Sequence, residues 1–510
     1  MPPQALAVVA TLLSFSPHGN RIELRLDRGS AEMVWVTPST FRFRRTLDGP
    51  LPSVRWEDRP QVAVQIDEEQ GLLRLRSKFL DVAIQKRGLL VRVRKLDGTP
   101  LTADLSEPGP SGSGVAWERE APDRARFYGL GPRTDAEFDV RGKAVASEVP
   151  FLVSTAGYGE YHASGGAYRF DFRPGYRYRI EAPGVDYFFY YGPTIKQIFE
   201  EHKDARGPAP GWAASPVSAA SPQSAASAES AGSWSALRAT LLRLVHGAMS
   251  AALAPSLSLT PYEGKAPELV QRARQLGSLV DDVSPGPVGL SSFRKQLESF
   301  FAVYAAEAQM KGYPVWHPLP FQFPEDPECA RHTDEFMLGD EMLIAPIYEP
   351  GNKRTVYLPQ GIWTNLDTNE TSPGRRTITV ETPALPVFAR NGTIVPLDSP
   401  AGMALHYFPT LPAEFFLLES DPDDWTQVHA SPAADIMRLE IESKKARDYQ
   451  WVVHHIERPS EVGFEDRKYR QVRSGSAIED RTWFYDAAHK NLQVRVRVAA
   501  GEDCIINLSF

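Results

Sequence analysis

Cysteine is almost absent: Cys329 and Cys504 are the two among 510 residues. A disulfide framework is excluded, and their spacing offers no zinc site, so both read as buried thiols. No uninterrupted apolar run reaches the roughly 18 residues that a membrane helix requires. Basic charge is also in short supply, with 56 Lys and Arg against 64 Asp and Glu and a net charge of −8. Neither a membrane nor a nucleic acid is therefore expected as a partner. What remains is a 42% hydrophobic, 24% charged chain with material for several buried cores, neither disordered nor fibrous.

The N-terminal MPPQALAVVATLLSF is apolar, but it lacks the Lys/Arg n-region and small-residue cleavage site of an export signal. It reads as a first strand, and the cytoplasm is the expected compartment. RIELRLDRG and AEMVWVTPSTFRFRR alternate with period two about Asp27-Arg28-Gly29, the mark of a hairpin. Short strands recur over 62–66, 72–76, 80–84, 89–95, 168–172, 176–180 and 186–191. Such regular strands with almost no helical period predict a large β-sandwich. One helix over 194–203 is expected, capped by Thr194.

After Trp212 the composition changes abruptly. Residues 213–233 read AASPVSAASPQSAASAESAGS, with Glu229 the single ionisable side chain. Ala, Ser and Pro without a large apolar residue cannot offset their own ordering entropy, so the run predicts a linker. Helices should follow. Ser233 caps WSALRATLLRLVHGAMSAAL, with Leu237, Leu241, Leu244 and Val245 on one face, and Pro267 opens PELVQRARQLG, closed by Gly277. FRKQLESFFAVYAAEAQMK predicts a third helix ending at Gly312. Strand patterning returns in MLIAPIY, KRTVYLP, TITVET and PVFARNGTIVPL, then in AEFFLLES, MRLEIES, YQWVVHHIER and NLQVRVRV. A strand through His454 and His455 would send one ring inward and the other outward.

Several blocks resemble glycoside hydrolase family 31, the α-glucosidase and α-xylosidase family. FYGLGPRTDAEFDVRG at 127–142, VPFLVSTAGYGEY at 149–161 and VDYFFYYGPTIKQIFEEHKDARGPAPGW at 185–212 resemble the end of its N-terminal sandwich and the entry to its barrel. YAAEAQMKGYPVWHPLPFQFPEDPEC at 304–329, EFMLGDEMLIAPI at 335–347, YLPQGIWTN at 357–365 and LPVFARNGTIVPL at 385–397 resemble the last barrel helix and the proximal C-terminal sandwich. The resemblance implies a multidomain β and α/β architecture: an N-terminal β-sandwich over 1–195, a truncated (β/α)₈ barrel remnant over 196–340, a proximal C-terminal β-domain over 341–400 and a distal one over 401–510. It also implies a retaining α-glycosidase of carbohydrate metabolism acting on an α-linked saccharide, without metal or cofactor. That chemistry needs two carboxyl groups about 5–5.5 Å apart, one ionised as nucleophile and one protonated as acid.

The departures from the family pattern are large. Trp212 to Asp340 supplies about 130 residues, against at least about 200 for a full barrel. No counterpart of the family's WxDMNE-type nucleophile strand exists in the chain. In AESAGSW at 228–234 Glu229 falls where the family's acid/base aspartate stands, although a solvated linker charge is the plainer reading. In SLTPYEG at 258–264, Ser258 and Thr260-Pro261 replace an Asp-Ile-Gly-Gly sugar-binding turn, and LVDDVSPGP replaces an Arg-x-His signature. Asp281 and Asp282 are adjacent, so they point apart and read as a polar loop.

Asp135, Glu137 and Asp139 lie on the loop that approaches the barrel mouth in this family, with Pro132 in place of an acidic residue. Tyr158, Tyr161, Trp316 and His317 are candidates to stack on a sugar ring, with core packing as the bland alternative. Cys329 and His332 have C-x-x-H spacing, too few ligands to fix a metal. Neither a Gly-rich phosphate loop nor a Gly-x-Ser-x-Gly elbow is present. Two functions stay open: a glycosidase with a relocated or partner-supplied nucleophile, impaired when alone, or a non-catalytic carbohydrate-binding or assembly subunit. A broken barrel exposes strand edges, so a homo-oligomer or an intact homologue is the expected partner.

Overall fold

The structure, a computed structural model, describes residues 9–54, 59–206, 232–251, 256–280, 282–284, 292–419, 424–465 and 467–510. Glu229, Asp281 and all of the expected linker except Gly232 and Ser233 lie outside the described residues. Two compact units divide the chain. One holds Met1–Ala209, His246–Ala252 and Lys311–Tyr313, and the other holds the remainder.

The first unit is almost all strand. Eight strands form one sheet in the order Leu12–His18, Arg21–Leu26, Ser30–Thr37, Thr40–Arg45, Val185–Tyr191, Tyr158–His162, Phe151–Ser154 and Phe127–Gly129. The expected hairpin is there, with Gly29 at φ +73°, where a side chain would also meet Thr46 O at 2.3 Å. A five-stranded meander runs from Gln65–Glu69 to Pro100–Ala103, and a second five-stranded sheet includes Gly114–Glu120 and Arg177–Ala182. Alternation decides which side chains go inward: Leu73, Leu75, Val82, Ile84, Val91 and Val93 of the meander share one buried core with Trp35, Phe41, Phe43 and Phe189 of the large sheet.

Two local expectations shift here. The strand expected over 62–66 begins only at Gln65, because Asn20 takes over the preceding backbone: its Oδ1 accepts from Val62 N at 2.7 Å and its Nδ2 donates to Pro60 O at 2.9 Å. The helix after the sandwich spans Ile195–Arg206, and Thr194 Oγ1 accepts from Gln197 N at 3.2 Å as its cap.

Helices form at Trp234–Ala248, with Ser233 Oγ accepting from Ala236 N, and at Pro267–Gly277. The third expected helix is two. Phe293–Gln296 closes on the buried Leu297, whose N–H bonds three residues back to Arg294 O, and Glu298–Lys311 then starts afresh. Asp282 lies in a strand, not a loop: Asp282–Ser284 pairs in parallel with Ser256–Ser258. Parallel pairing needs a crossover, and Pro267–Gly277 lies in that connection, making one βαβ element.

A six-stranded sheet then joins Trp316–Pro318, Phe336–Leu338, Met342–Ile344, Val387–Arg390, Ile362–Asn365 and Thr371–Pro373. Its side chains Met337, Leu343, Trp363 and Phe388 share a core with Leu319 and Cys329. Two further six-stranded sheets occupy the last hundred or so residues, each alternating buried and exposed as in Ile436–Ser443 and Asn491–Val498. The strand expected through the histidine pair stops at Val453, since His455 takes φ +54°. Cys329 is buried as expected, whereas Cys504 is only partly so.

Candidate functional site

Asp135 sits in the first unit on the loop after Phe127–Gly129. Its carboxylate pairs with Arg133 Nη1, and Arg133 Nη2 donates to Phe138 O at 3.1 Å and to His246 Nδ1 at 3.2 Å. His246 Nε2 in turn lies 3.0 Å from the Asp135 carbonyl. An arginine can only donate, so Nδ1 accepts and Nε2 carries the proton. Burial and the neighbouring Arg133 charge push the imidazole down to about 3, and it is neutral at pH 7. The loop is thus tied to a residue more than a hundred positions away. Asp139 serves the loop itself, with Oδ1 accepting from Phe127 N and Arg141 N, while Glu137 is exposed.

Trp316 and His317 belong to the other unit and are neighbours on the Trp316–Pro318 strand. Trp316 is 1% exposed, stacks on Phe336 at 3.9 Å and donates its indole N–H to Leu279 O at 2.8 Å. His317 is fully buried beside the rings of Tyr304 and Phe321, with Nδ1 3.3 Å from Asp340 Oδ1. Tyr158 is buried against Phe189, and the Tyr161 ring carries the Arg206 guanidinium 4.0 Å above it. His332 stacks on Tyr357 at 4.6 Å, and among the described residues no three His, Cys, Asp or Glu side chains gather as a metal site.

The cluster around His317 holds residues that sequence reasoning did not single out. Tyr304 donates to Glu341 Oε2 at 2.6 Å, and Asp340 N lies 3.0 Å from both Tyr304 Oη and Glu341 Oε2. Gly339 at φ +62° makes this possible, because a Cβ there would stand 2.3 Å from the Tyr304 ring. Burial, reinforced by the Asp340 charge, pushes the Glu341 carboxyl up to about 8. It holds its proton at pH 7. Asp340 is by contrast half exposed and faces His317. A neutral acid beside a more exposed carboxylate has the protonation pattern of an acid–base pair, but adjacent residues diverge and these two meet different surroundings. The GDE triplet in EFMLGDEMLIAPI was the available signal.

Residues 312–395 match the glycosyl hydrolase family 31 C-terminal domain. An α-glucosidase of Saccharolobus solfataricus is 39% identical over 94 residues, which are 18% of this chain and 13% of that protein. Neutral α-glucosidase AB of Mus musculus is 37% identical over 108 residues, 20% of this chain and 11% of that protein. The matched part of the chain thus spans only about an eighth of those relatives' length. The fold is similar to that of a Flavobacterium johnsoniae GH31 dextranase solved with glucose, at TM-score 0.76 and 14% identity over 99% of this chain and 100% of that one.

The strand-rich units with few helices match the fold of that solved structure. The family-model match, the curated α-glucosidases and the likeness in fold together support membership of glycoside hydrolase family 31. Among the described residues no helix is long and apolar enough to cross a membrane.

Proposed function

We propose that this chain is an α-glucosidase-like member of the family that binds α-linked saccharides without hydrolysing them on its own. One observation carries the reading: about 130 residues separate Trp212 from Asp340, and a complete barrel takes at least about 200. The sequence holds no counterpart of the nucleophile strand. Retaining hydrolysis passes through a glycosyl ester on a placed carboxylate, and without that carboxylate the route is closed. Glu341 is a poor substitute, being protonated and buried, and Glu229 offers at most the acid.

On this reading the N-terminal β-sandwich covers 1–195, the barrel remnant 196–340, and the two C-terminal β-domains 341–400 and 401–510. Asp135 is then a candidate sugar contact in the first unit, while Trp316 and His317, buried in the second, would act only by packing beneath a binding surface of that unit. The edges left by the lost strands are covered by a second copy or by an intact homologue. The cytoplasm is the proposed compartment.

The test is an assay of the purified chain with an aryl α-glucoside and an aryl α-xyloside, alongside calorimetry with isomaltotriose. The expected result is no turnover with measurable binding. Turnover that Glu229→Gln abolishes would overturn the proposal.

A further inference from the structure

Helix Pro267–Gly277 presents two kinds of side chain. Leu269, Ala273 and Leu276 are buried along one face, while Glu268, Gln271, Arg272 and Gln275 share another by their spacing of three and four. This polar face meets one end of a two-stranded ladder, Lys353–Leu358 against Arg376–Glu381. Glu268 Oε1 accepts from Gly351 N at 2.6 Å, just before the first strand. Gln271 Nε2 and Gln275 Nε2 both donate to Pro383 O, at 2.9 and 3.0 Å, just after the second. Thr382 N donates to Asn352 O at 2.8 Å, closing the two loops on each other.

Arg272 lies at the centre and is 2% exposed. Its Nη1 donates to Pro383 O and Gln275 Oε1, both at 3.0 Å, and to Ala384 O at 3.3 Å. Its Nη2 donates to Asn352 Oδ1 at 2.7 Å, Gly351 O at 3.1 Å and Thr382 O at 3.4 Å. One guanidinium thus grips both loops at once. All of these acceptors are neutral oxygens, and burial holds the guanidinium below its usual range, with the Glu268 charge opposing. A cation buried this way is tolerated only while its acceptors stay in place. If either loop withdraws, the charge is stranded, so docking of the helix is all or none.

We infer that Arg272 is a latch that couples the helix, and with it the parallel pair Ser256–Ser258 and Asp282–Ser284 that the helix connects, to residues 351–352 and 382–384, so that these segments open and close as one unit. The coupling goes beyond the reading above and is independent of whether the chain binds or cleaves a sugar.

The test is hydrogen exchange of the full chain at neutral pH, followed peptide by peptide, in wild type and in Arg272→Met, which keeps the buried length and removes the donors. In the variant, the helix and the peptides around 351–352 and 382–384 are expected to exchange about tenfold faster together, the scale of a charged hydrogen bond lost from a local opening equilibrium. Strands Ile436–Ser443 and Asn491–Val498 should exchange as in wild type. Arg272→Lys keeps the charge but not the fork that spans two loops, and should loosen the same segments. Wild-type exchange of the helix in either variant would overturn the latch, as would a loosened helix with both loops unmoved. Equal loosening of the two distant strands, the mark of a general loss of stability, would overturn it too. Gln271→Ala, at an exposed position, covers the case in which Arg272→Met does not fold. It removes one donor to Pro383 O and should speed the same segments about threefold, the scale of one neutral hydrogen bond; no change in them would count against the latch as decisively.

Discussion

Glu160 in the first unit and Glu341 in the second are both buried carboxyl groups, and they end in opposite protonation states. Burial works to raise Glu160, but Arg119 Nη1 at 2.7 Å, helped by His162, overrides it and holds the group below its usual range. Glu341 has a hydroxyl and a backbone N–H for company and the negative Asp340 beside it, and it rises to about 8. Desolvation acts on both. The nearest full charge decides which proton stays. Asp104 shows the intermediate case: it also lies near Arg119, at 3.0 Å, but burial still lifts it to about 6 because that one guanidinium is shared.

The largest expected effect breaks the comparison at its charged end. Arg119→Met strips Glu160 and Asp104 of the guanidinium that pairs with both while leaving them buried, which should cost roughly 3–5 kcal/mol in denaturant unfolding of the first unit's signal. Next comes pH. The folded state keeps the Glu341 proton up to about 8, whereas the unfolded chain releases it near about 4.3. More protons are then bound folded than unfolded, so this group's contribution falls as pH rises between those values, by up to about 1.4 kcal/mol per pH unit. Glu160, lowered in the fold, contributes in the opposite sense: its stabilisation is present above the unfolded pKa and is lost as pH falls through its folded one. Unfolding curves of wild type and Glu341→Gln from pH 4 to pH 9 should diverge, with the variant lacking the slope.

Smaller effects sharpen the same contrast. Gly339→Ala places a methyl 2.3 Å from the Tyr304 ring at φ +62°, and a cost of about 1–3 kcal/mol is expected in thermal unfolding. Tyr304→Phe removes one hydrogen bond from Glu341, worth about 0.5–1.5 kcal/mol by denaturant titration. Glu341→Gln at pH 7 exchanges one neutral group for another and should stay within about 1 kcal/mol, while Glu160→Gln, beside a buried guanidinium, should not.

Much of the fold was legible because period-two alternation is a local signal. Leu72–Arg76 and Leu80–Gln85 were placed within a residue by their inward leucines and valines, and the Pro267 and Gly277 ends of one helix follow from fixed φ and C-terminal chemistry. Asp282–Ser284 was not legible, because three residues carry no period and their pairing depends on a strand some 26 positions earlier. The split at Leu297 was hidden for a similar reason, since the residues on either side are good helix formers. The candidate site was read only in part. Asp135, Trp316 and His317 were visible as residue types, but the Arg133–His246 link and the neutral state of Glu341 arise from tertiary burial that no spacing encodes.

The proposed inactivity rests on a nucleophile strand that has no counterpart in the sequence, and covalent trapping tests it directly. The intact chain, incubated with a 5-fluoro-α-glucosyl fluoride and weighed by mass spectrometry, should keep its unmodified mass. A gain of one fluoroglucosyl group, mapped to any Asp or Glu side chain, would contradict it.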